Sequence, residues 1–125
     1  MAFVSMNLVV IRAADLDRSE AFYSALGLTF TRHRHGDGPL HCAAEIFDGQ
    51  SPPLVFEIYP AKENVDRRDA VRLGFCVADI DAAMEALIAA GGKIVSKAKD
   101  SEWGRRAVVA DPDGHRVELT MSSSV

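Results

Sequence analysis

Residues 14 to 28, ADLDRSEAFYSALGL, return with the same pattern at residues 78 to 92, ADIDAAMEALIAAGG. The two copies are offset by 78 minus 14, or 64, positions. In each copy an apolar run precedes the Ala-Asp pair, apolar residues follow at helical spacing, and the helix pattern stops at a glycine, Gly27 or Gly91. The repeat predicts a strand that leads into a helix, built twice in one chain.

The helix starts are predicted at a second aspartate in each copy. We assign Asp17 and Asp81 as N-caps, because each follows an apolar residue, Leu16 or Ile80, as a helix entry prefers. The apolar residues of the helix faces are then expected in the core, in two sets: Phe22, Ala25 and Leu26 in the first copy, and Met84, Leu87 and Ile88 in the second.

Strand-like segments surround each helix and are separated by glycine- and proline-rich turns. We predict strands at residues 7–14, 29–35, 40–47 and 54–59 in the first copy, and at residues 71–78, 93–97, 105–110 and 115–121 in the second. Asp111-Pro112-Asp113-Gly114 predicts a type I turn before the last strand. The polar residues 60–70 are interpreted as a linker.

The sequence therefore predicts an α+β fold, with residues 1–125 forming a single domain of two tandem βαβββ modules, about 5–60 and about 70–122. Each module is expected to be a small, mixed, antiparallel-rich sheet with a helix on one face. A module of this size buries too little surface alone. The free faces should therefore turn toward one another, within the chain or across a dimer, and enclose a cleft.

Composition excludes several classes of partner. The net charge is −4 and no stripe of Lys and Arg is present, so nucleic acid is not expected. No apolar run is long enough for a bilayer span and no signal peptide is recognised, so we expect no membrane association and a cytoplasmic location. Cys42 and Cys76 lack metal or disulfide spacing and are expected to be buried thiols.

The motif set, ADLDRSEAFYSALGL with WGRR at residues 103–106 and DPDGHRVEL at residues 111–119, resembles the glyoxalase/bleomycin-resistance/dioxygenase family, the vicinal oxygen chelate superfamily. The resemblance covers nearly the whole chain. It implies a scaffold that serves lyases, epimerases, dioxygenases, transferases and metal-free drug-binding proteins, so it does not define one activity.

The resemblance also implies four positions for a divalent metal: Leu8, Glu57, Arg72 and Glu118. Strand alternation predicts that both glutamates face the cleft, because their neighbours are apolar. Leucine has no lone pair and arginine is a cation without an acceptor, so neither can coordinate a metal. We therefore expect no metal and no cofactor at these positions, with Arg72 in place of the ion and paired to Glu118, and to Glu57 if it lies within reach.

Ligand contacts are assigned to four residues of matching strand parity, Arg12, Tyr59, Arg72 and Arg116, and to His41 on the neighbouring strand. Arg12 and Arg116 are expected to clamp an anionic group, and His41 to reach the cleft as a base. His33, His35 and His115 are expected at the surface or at strand ends.

Three functions follow, and the sequence leaves open whether the protein is an enzyme. The first is a metal-free or metal-degenerate small-molecule-binding protein that works as a homodimer. The alternative is a lyase, isomerase or dioxygenase with a divalent metal and with Glu57 or Glu118 as its catalytic group. The third is a non-catalytic scaffold.

Overall fold

The computed structural model of the chain describes residues 6–47, 49, 53–62, 71–102 and 104–121. Two βαβββ modules follow one another. The first contains β1 (Leu8–Ala13), α1 (Leu16–Ser24), β2 (Thr31–His33), β3 (His41–Ile46) and β4 (Leu54–Pro60). The second contains β5 (Arg72–Cys76), α2 (Ile80–Ala89), β6 (Lys93–Ser101), β7 (Gly104–Ala110) and β8 (Arg116–Met121).

Each module forms its own four-stranded mixed sheet. Sheet 1 has the order β1-β4-β3-β2 and sheet 2 has the equivalent order β5-β8-β7-β6. The first and last strands of each module run parallel, and the other neighbours run antiparallel. The α+β class and the tandem βαβββ plan are thereby confirmed.

The helix-facing sides of both sheets contribute to one hydrophobic core. Tyr23 of α1 packs edge-on against Phe56 of β4, with ring centroids 5.0 Å apart. Phe75 of β5 lies 6.3 Å from both rings, so aromatic side chains join the two modules. Alternate residues point the other way, onto the surface that we call the open face of each sheet.

Both helices begin earlier than the sequence predicted. Asp15 and Asp79 are the N-caps, and their carboxylates accept hydrogen bonds from the backbone N–H groups of Arg18 and Ala82 at 3.1 Å. The assignment of Asp17 and Asp81 as caps was wrong. The backbone of Asp15 and Asp79 is extended, so their carboxylates can accept hydrogen bonds from the first turn of each helix. Asp17 and Asp81 are already part of that turn.

Glycines end both helices as predicted. Gly27 and Gly91 have left-handed φ values of 100° and 105°; Gly91 is the C′ residue of α2, whereas Gly27 lies one position beyond the C′ residue of α1. Gly92 has a different role, because a Cβ atom there would lie 2.7 Å from Phe22 Cε1 and 2.9 Å from Val109 Cγ2. Its missing side chain lets α1 of the first module approach the second.

Several smaller predictions differ from the structure. The segment 29–35 is a strand only at Thr31–His33, whereas β6 continues to Ser101. The turn prediction is confirmed, since Gly114 N donates to Asp111 O at 2.9 Å. Residues 63–70 of the predicted linker lie outside the described ranges.

The two thiols differ in exposure. Cys42 lies in the core, as predicted, and burial raises its pKa to about 11. Cys76 is exposed, contrary to the prediction, because it lies on the open face of β5, an edge strand of sheet 2. Among the described residues, neither helix is long and apolar enough to span a bilayer.

Candidate functional site

The two predicted glutamates occupy matching places in the two sheets. Glu57 lies in β4 beside Val10 of β1, and Glu118 lies in β8 beside Gly74 of β5. Their strand neighbours, such as Phe56 and Leu119, are buried in the core. Both carboxylates are therefore on open faces, as strand alternation predicted.

Glu118 is held by arginines of its own sheet. Arg106 of β7 donates from Nε to Oε2 at 3.0 Å and from Nη2 to Oε1 at 3.1 Å, which is a bidentate pair. Arg72 Nη1 lies 3.6 Å from Oε1. The hydrogen bonds from Arg106 hold the pKa of Glu118 below its usual value, so the carboxylate is ionised at neutral pH.

Glu57 has a different neighbour. His41 Nε2 lies 3.9 Å from Glu57 Oε2, and the His41 side chain is almost entirely buried. The other ring nitrogen, Nδ1, is 3.2 Å from the carbonyl oxygen of Pro39. A carbonyl oxygen only accepts, so Nδ1 is the donor of this hydrogen bond, whereas Nε2 is buried and has no hydrogen-bond partner.

Tyr59 and Arg12 complete this part of sheet 1. The rings of His41 and Tyr59 are stacked, with centroids 4.1 Å apart and planes 7° from parallel. The Arg12 guanidinium carbon lies 5.1 Å from the Tyr59 ring centroid, in cation–π range. Stacking and burial together fix the orientation of the imidazole.

A cavity of about 480 Å³ opens on this face of sheet 1. Glu57 and Glu45 supply its carboxylates, and His33 and His35 its exposed imidazoles. The other lining residues are Thr29, Thr31, Ala43, Ala44 and Val55. The mixture of apolar surface with a few polar groups is typical of a small-molecule site.

A second cavity, of about 280 Å³, lies where the modules meet. Its lining is mostly apolar and includes Val9, Phe56, Leu73 and Phe75 from the core sides of the sheets, together with Arg72. Neither of these two cavities includes Glu118. The predicted cleft that holds both glutamates is therefore not formed by these cavities.

The predicted ligand contacts divide between the two sheets. Arg12, His41 and Tyr59 lie on sheet 1, where His41 contacts both Glu57 and Tyr59, and Arg12 contacts Tyr59. Arg72 and Arg116 are register partners on sheet 2, next to Glu118. Arg12 and Arg116, which were expected to act as one clamp, therefore belong to different open faces.

The family's four metal positions do not fit a metal ion in this chain. Leu8 has no donor atom, and Arg72 brings a positive charge to the place of a ligand. Glu118 has both oxygens engaged by Arg106. Only Glu57 retains the chemistry that a divalent cation requires.

Sequence reasoning missed two features. Arg106 was not singled out, although the alternation in β7 places it on the same face as Glu118. His115 was expected at the surface or at a strand end; it directly precedes β8, but it is buried, and its Nδ1 donates to Asp111 Oδ2 at 2.7 Å, where Tyr23 Oη also donates at 2.7 Å. Burial acts to raise the pKa of Asp111, but the hydrogen bonds from His115 and Tyr23 outweigh it and lower that pKa.

Fold and site together define a two-module βαβββ protein with a polar pocket on an open sheet face. A family model described as a glyoxalase-like domain matches residues 8–120. The chain belongs to this family, within the glyoxalase/bleomycin-resistance/dioxygenase superfamily.

Individual relatives agree with this placement. An uncharacterised protein of Mycolicibacterium smegmatis is 34% identical over 110 residues, which cover 88% of this chain and 87% of that protein. An antibiotic-binding protein from Streptomyces sp. CB03234 has a TM-score of 0.74 at 22% identity, covering 98% of this chain and 99% of its own. A glyoxalase-related enzyme from Fulvimarina pelagi has a TM-score of 0.73 at 21% identity, covering 96% and 89%. At these identities the two structures show a shared fold.

Proposed function

We propose that this protein binds a small molecule on the open face of sheet 1 and that it does so without a metal at the family's four positions. The observation that carries the proposal is the state of Glu118, whose two oxygens are occupied by Arg106 while Arg72 lies beside them. A carboxylate held in this way is a poor base and a poor metal ligand. Binding, rather than metal-dependent chemistry, is the function that this arrangement favours.

The pocket indicates the class of ligand. Arg72 pairs with Glu118, so Glu57 is left to meet a ligand, with the exposed rings of His33 and His35 as flat surfaces in the same cavity. A planar aromatic compound with a cationic group matches these features. The likeness to an antibiotic-binding protein supports this choice.

Thermal unfolding in the presence of EDTA tests the proposal. A panel of cationic aromatic compounds and aromatic acids is screened at millimolar concentration, and a ligand at 100 times its Kd should stabilise the fold by about 2.7 kcal/mol. Ala43→Trp should abolish the shift by filling the cavity, whereas Ala86→Trp on the exposed side of α2 should retain it. A panel without any shift would contradict the proposal.

The proposed working form is a homodimer in which module 1 of one chain lies beside module 2 of its partner. β1 and β5 are edge strands of their sheets, and the apolar side chains of Leu8 and Val10 are 52% and 41% exposed. Exposed apolar edges favour pairing with another chain. This arrangement would bring Glu57 and Glu118 of different chains to one cleft.

Sedimentation measurements test the dimer. Val10→Lys should shift the protein toward the monomer, because a charge on the paired edge opposes association. Ile94→Lys is the matched control, since Ile94 is 53% exposed on β6 at the opposite edge of its sheet and should leave the dimer intact. A monomeric wild-type protein at micromolar concentration would refute this part of the proposal.

A second candidate is an enzyme that uses His41 and Glu57, in place of the metal-dependent lyase, isomerase or dioxygenase mechanism of the superfamily. The unpartnered Nε2 of His41, 3.9 Å from Glu57 Oε2, favours it, because a histidine beside a carboxylate can serve in general acid–base catalysis. Turnover of a pocket ligand that His41→Phe abolishes would establish this candidate.

A further inference from the structure

The open face of sheet 2 carries an excess of positive charge. Strand pairing places four cationic side chains there around the Glu118 carboxylate: Arg72, Arg106, Arg116 and Lys99. The chain as a whole has a net charge of −4, so this face has the opposite sign to the protein that carries it. A local concentration of like charges attracts ions of the opposite sign. The face therefore favours an anionic ligand.

Glu118 does not balance these charges, because Arg106 already engages both of its oxygens. Arg72 approaches one of the same oxygens, with Nη1 3.6 Å from Oε1. The Arg72 side chain is 56% exposed, and a guanidinium presents a fork of several N–H donors. Donors of Arg72 therefore remain available to a ligand.

Arg116 lies directly beside Arg72. The two residues are register partners on the parallel strands β8 and β5, and their side chains leave the same face of the sheet. Arg116 forms no ion pair with any residue that the structure describes. Like charges opposite one another on neighbouring strands are destabilising, and an oxyanion between them would relieve the repulsion. Arg116 was expected to clamp an anion with Arg12, but strand register supplies Arg72 as its partner.

Gly74 leaves space on the same face of β5. Its φ angle is outside the left-handed range, and β5 pairs with β8 in regular register, so the backbone does not require a glycine. Among the described residues, a Cβ atom at this position would meet only Glu118 O, at 4.0 Å. The equivalent residue of module 1, beside Glu57, is Val10. A glycine inside a strand often marks the close approach of a ligand.

We propose that Arg72 and Arg116 bind one oxyanion, a carboxylate or phosphate group of a small molecule, in the space over Gly74. Guanidinium groups match both oxyanions through paired hydrogen bonds. Long side chains reach diagonal positions on neighbouring strands, so Arg116 can reach this space as well as Arg72. The site takes no group from the cavity of sheet 1 and is independent of the proposed function.

A polar cavity of about 290 Å³ beside the DPDG turn is less suited to an anion. Arg18 and Lys93 line it, but Asp111 and Asp113 line it too. Two positive charges are thus matched by two carboxylates. This cavity therefore lacks the excess of positive charge that the open face of sheet 2 has.

Titration of the ¹⁵N-labelled full chain by NMR, at low ionic strength, tests the proposal. Inorganic phosphate and benzoate are the two probes, in separate titrations. At least one of them should give saturable shifts of the Gly74 amide and of its neighbours in β5 and β8, and the tighter probe identifies the group. Added sodium chloride should weaken the binding, because salt screens exposed charges.

Two charge variants locate the donors. Arg72→Gln and Arg116→Gln should each weaken binding of the probe at least about tenfold, the effect of losing one hydrogen bond to a charged group. Arg34→Gln is the matched control, since it removes the same charge from an exposed position of module 1 and should leave binding unchanged. Equal weakening by Arg34→Gln and Arg116→Gln would overturn the proposal.

Gly74→Val separates a built site from general attraction to a basic surface. It changes no charge and introduces the residue that stands at the equivalent place in module 1. It should abolish binding by filling the space, without loss of unfolding free energy, since valine favours strands. Unchanged binding in Gly74→Val, or no saturation by either probe at millimolar concentration, would overturn the proposal. Ala43→Trp, which fills the cavity of sheet 1, should leave oxyanion binding intact, so this site and the proposed function can fail separately.

Discussion

Glu57 and Glu118 stand at equivalent positions in the two sheets but have opposite surroundings. Glu118 accepts two hydrogen bonds from the Arg106 guanidinium, whereas Glu57 is approached by His41, whose Nε2 lies 3.9 Å from Oε2. The carboxylate of module 2 is thus engaged within its own sheet, and that of module 1 is available to bind. The asymmetry depends on which side chain each neighbouring strand presents.

Replacing Arg106 tests whether its two hydrogen bonds hold Glu118 in the ionised form. Arg106→Leu should raise the pKa of Glu118 toward its usual value, because the two hydrogen bonds that favour the carboxylate are lost. The pKa is read from the carboxyl carbon chemical shift during an NMR titration. Arg106→Lys keeps the charge but not the fork, so it should give a smaller rise. An unchanged pKa in the leucine variant would show that Arg72 alone is sufficient.

The same lowered pKa has a consequence for stability. Glu118 has a lower pKa in the folded state than in the unfolded chain, so its contribution is present above the unfolded-state pKa. This contribution is lost as the pH falls through the folded-state pKa. The leucine variant should therefore lose less stability than the wild type on acidification.

At the scale of elements, both helices use the same device at their starts. The first aspartate caps the helix, and the second lies in the first turn, where it pairs with an arginine from the sheet of its own module: Asp17 with Arg32 and Asp81 with Arg105. Propensity alone did not distinguish the two aspartates. The distinction depends on where the backbone changes from extended to helical.

Helix α2 provides a matched test of this distinction. Asp79→Ala should cost about 1 kcal/mol of unfolding free energy, the usual loss for an N-cap. Asp81→Ala should cost less, since it removes only an exposed pair and a favourable charge in the first turn. Urea denaturation at neutral pH measures both. A larger loss of unfolding free energy for Asp81→Ala than for Asp79→Ala would indicate that Asp81 is the N-cap, as the sequence predicted.

At the scale of the whole molecule, the DPDGH turn ties the modules together. Tyr23 of module 1 donates to Asp111, and Asp113 accepts from the Ala14 N–H at 2.7 Å. Burial and the Asp111 charge raise the pKa of Tyr23 well above its usual value, so the hydroxyl remains a donor. The turn that introduces β8 is therefore also a contact between modules.

Asp111→Asn should destabilise the protein by roughly 3 kcal/mol at neutral pH, as expected when a buried charged network loses one partner. The lowered pKa of Asp111 places its contribution above the unfolded-state pKa, and that contribution is lost as the pH falls through the folded-state pKa. The variant should therefore show a flatter decline in stability between neutral and acidic pH.

Urea unfolding across a pH series measures both the loss of unfolding free energy in Asp111→Asn and the dependence of that free energy on pH. Asp37→Asn, in an exposed turn, is the control and should match the wild type. Tyr23→Phe should lose about 1–2 kcal/mol, since one hydrogen bond to the carboxylate disappears. If the stability of the wild type and of Asp111→Asn fell equally on acidification, the Asp111 carboxylate would not make the proposed contribution to stability.

Local signals in the sequence determined the duplicated module, the alternation of strand faces and the glycines that follow the helices. Each depends on neighbours in the chain or on the equivalence of the two copies. The pairing of Arg72 with Glu118 was expected from the family resemblance. Tertiary structure alone decided that Arg106 holds Glu118, that His41 is buried beside Glu57 and that Tyr23 meets Asp111, 88 positions away. Such contacts depend on strand register and module packing, which side-chain periodicity does not encode.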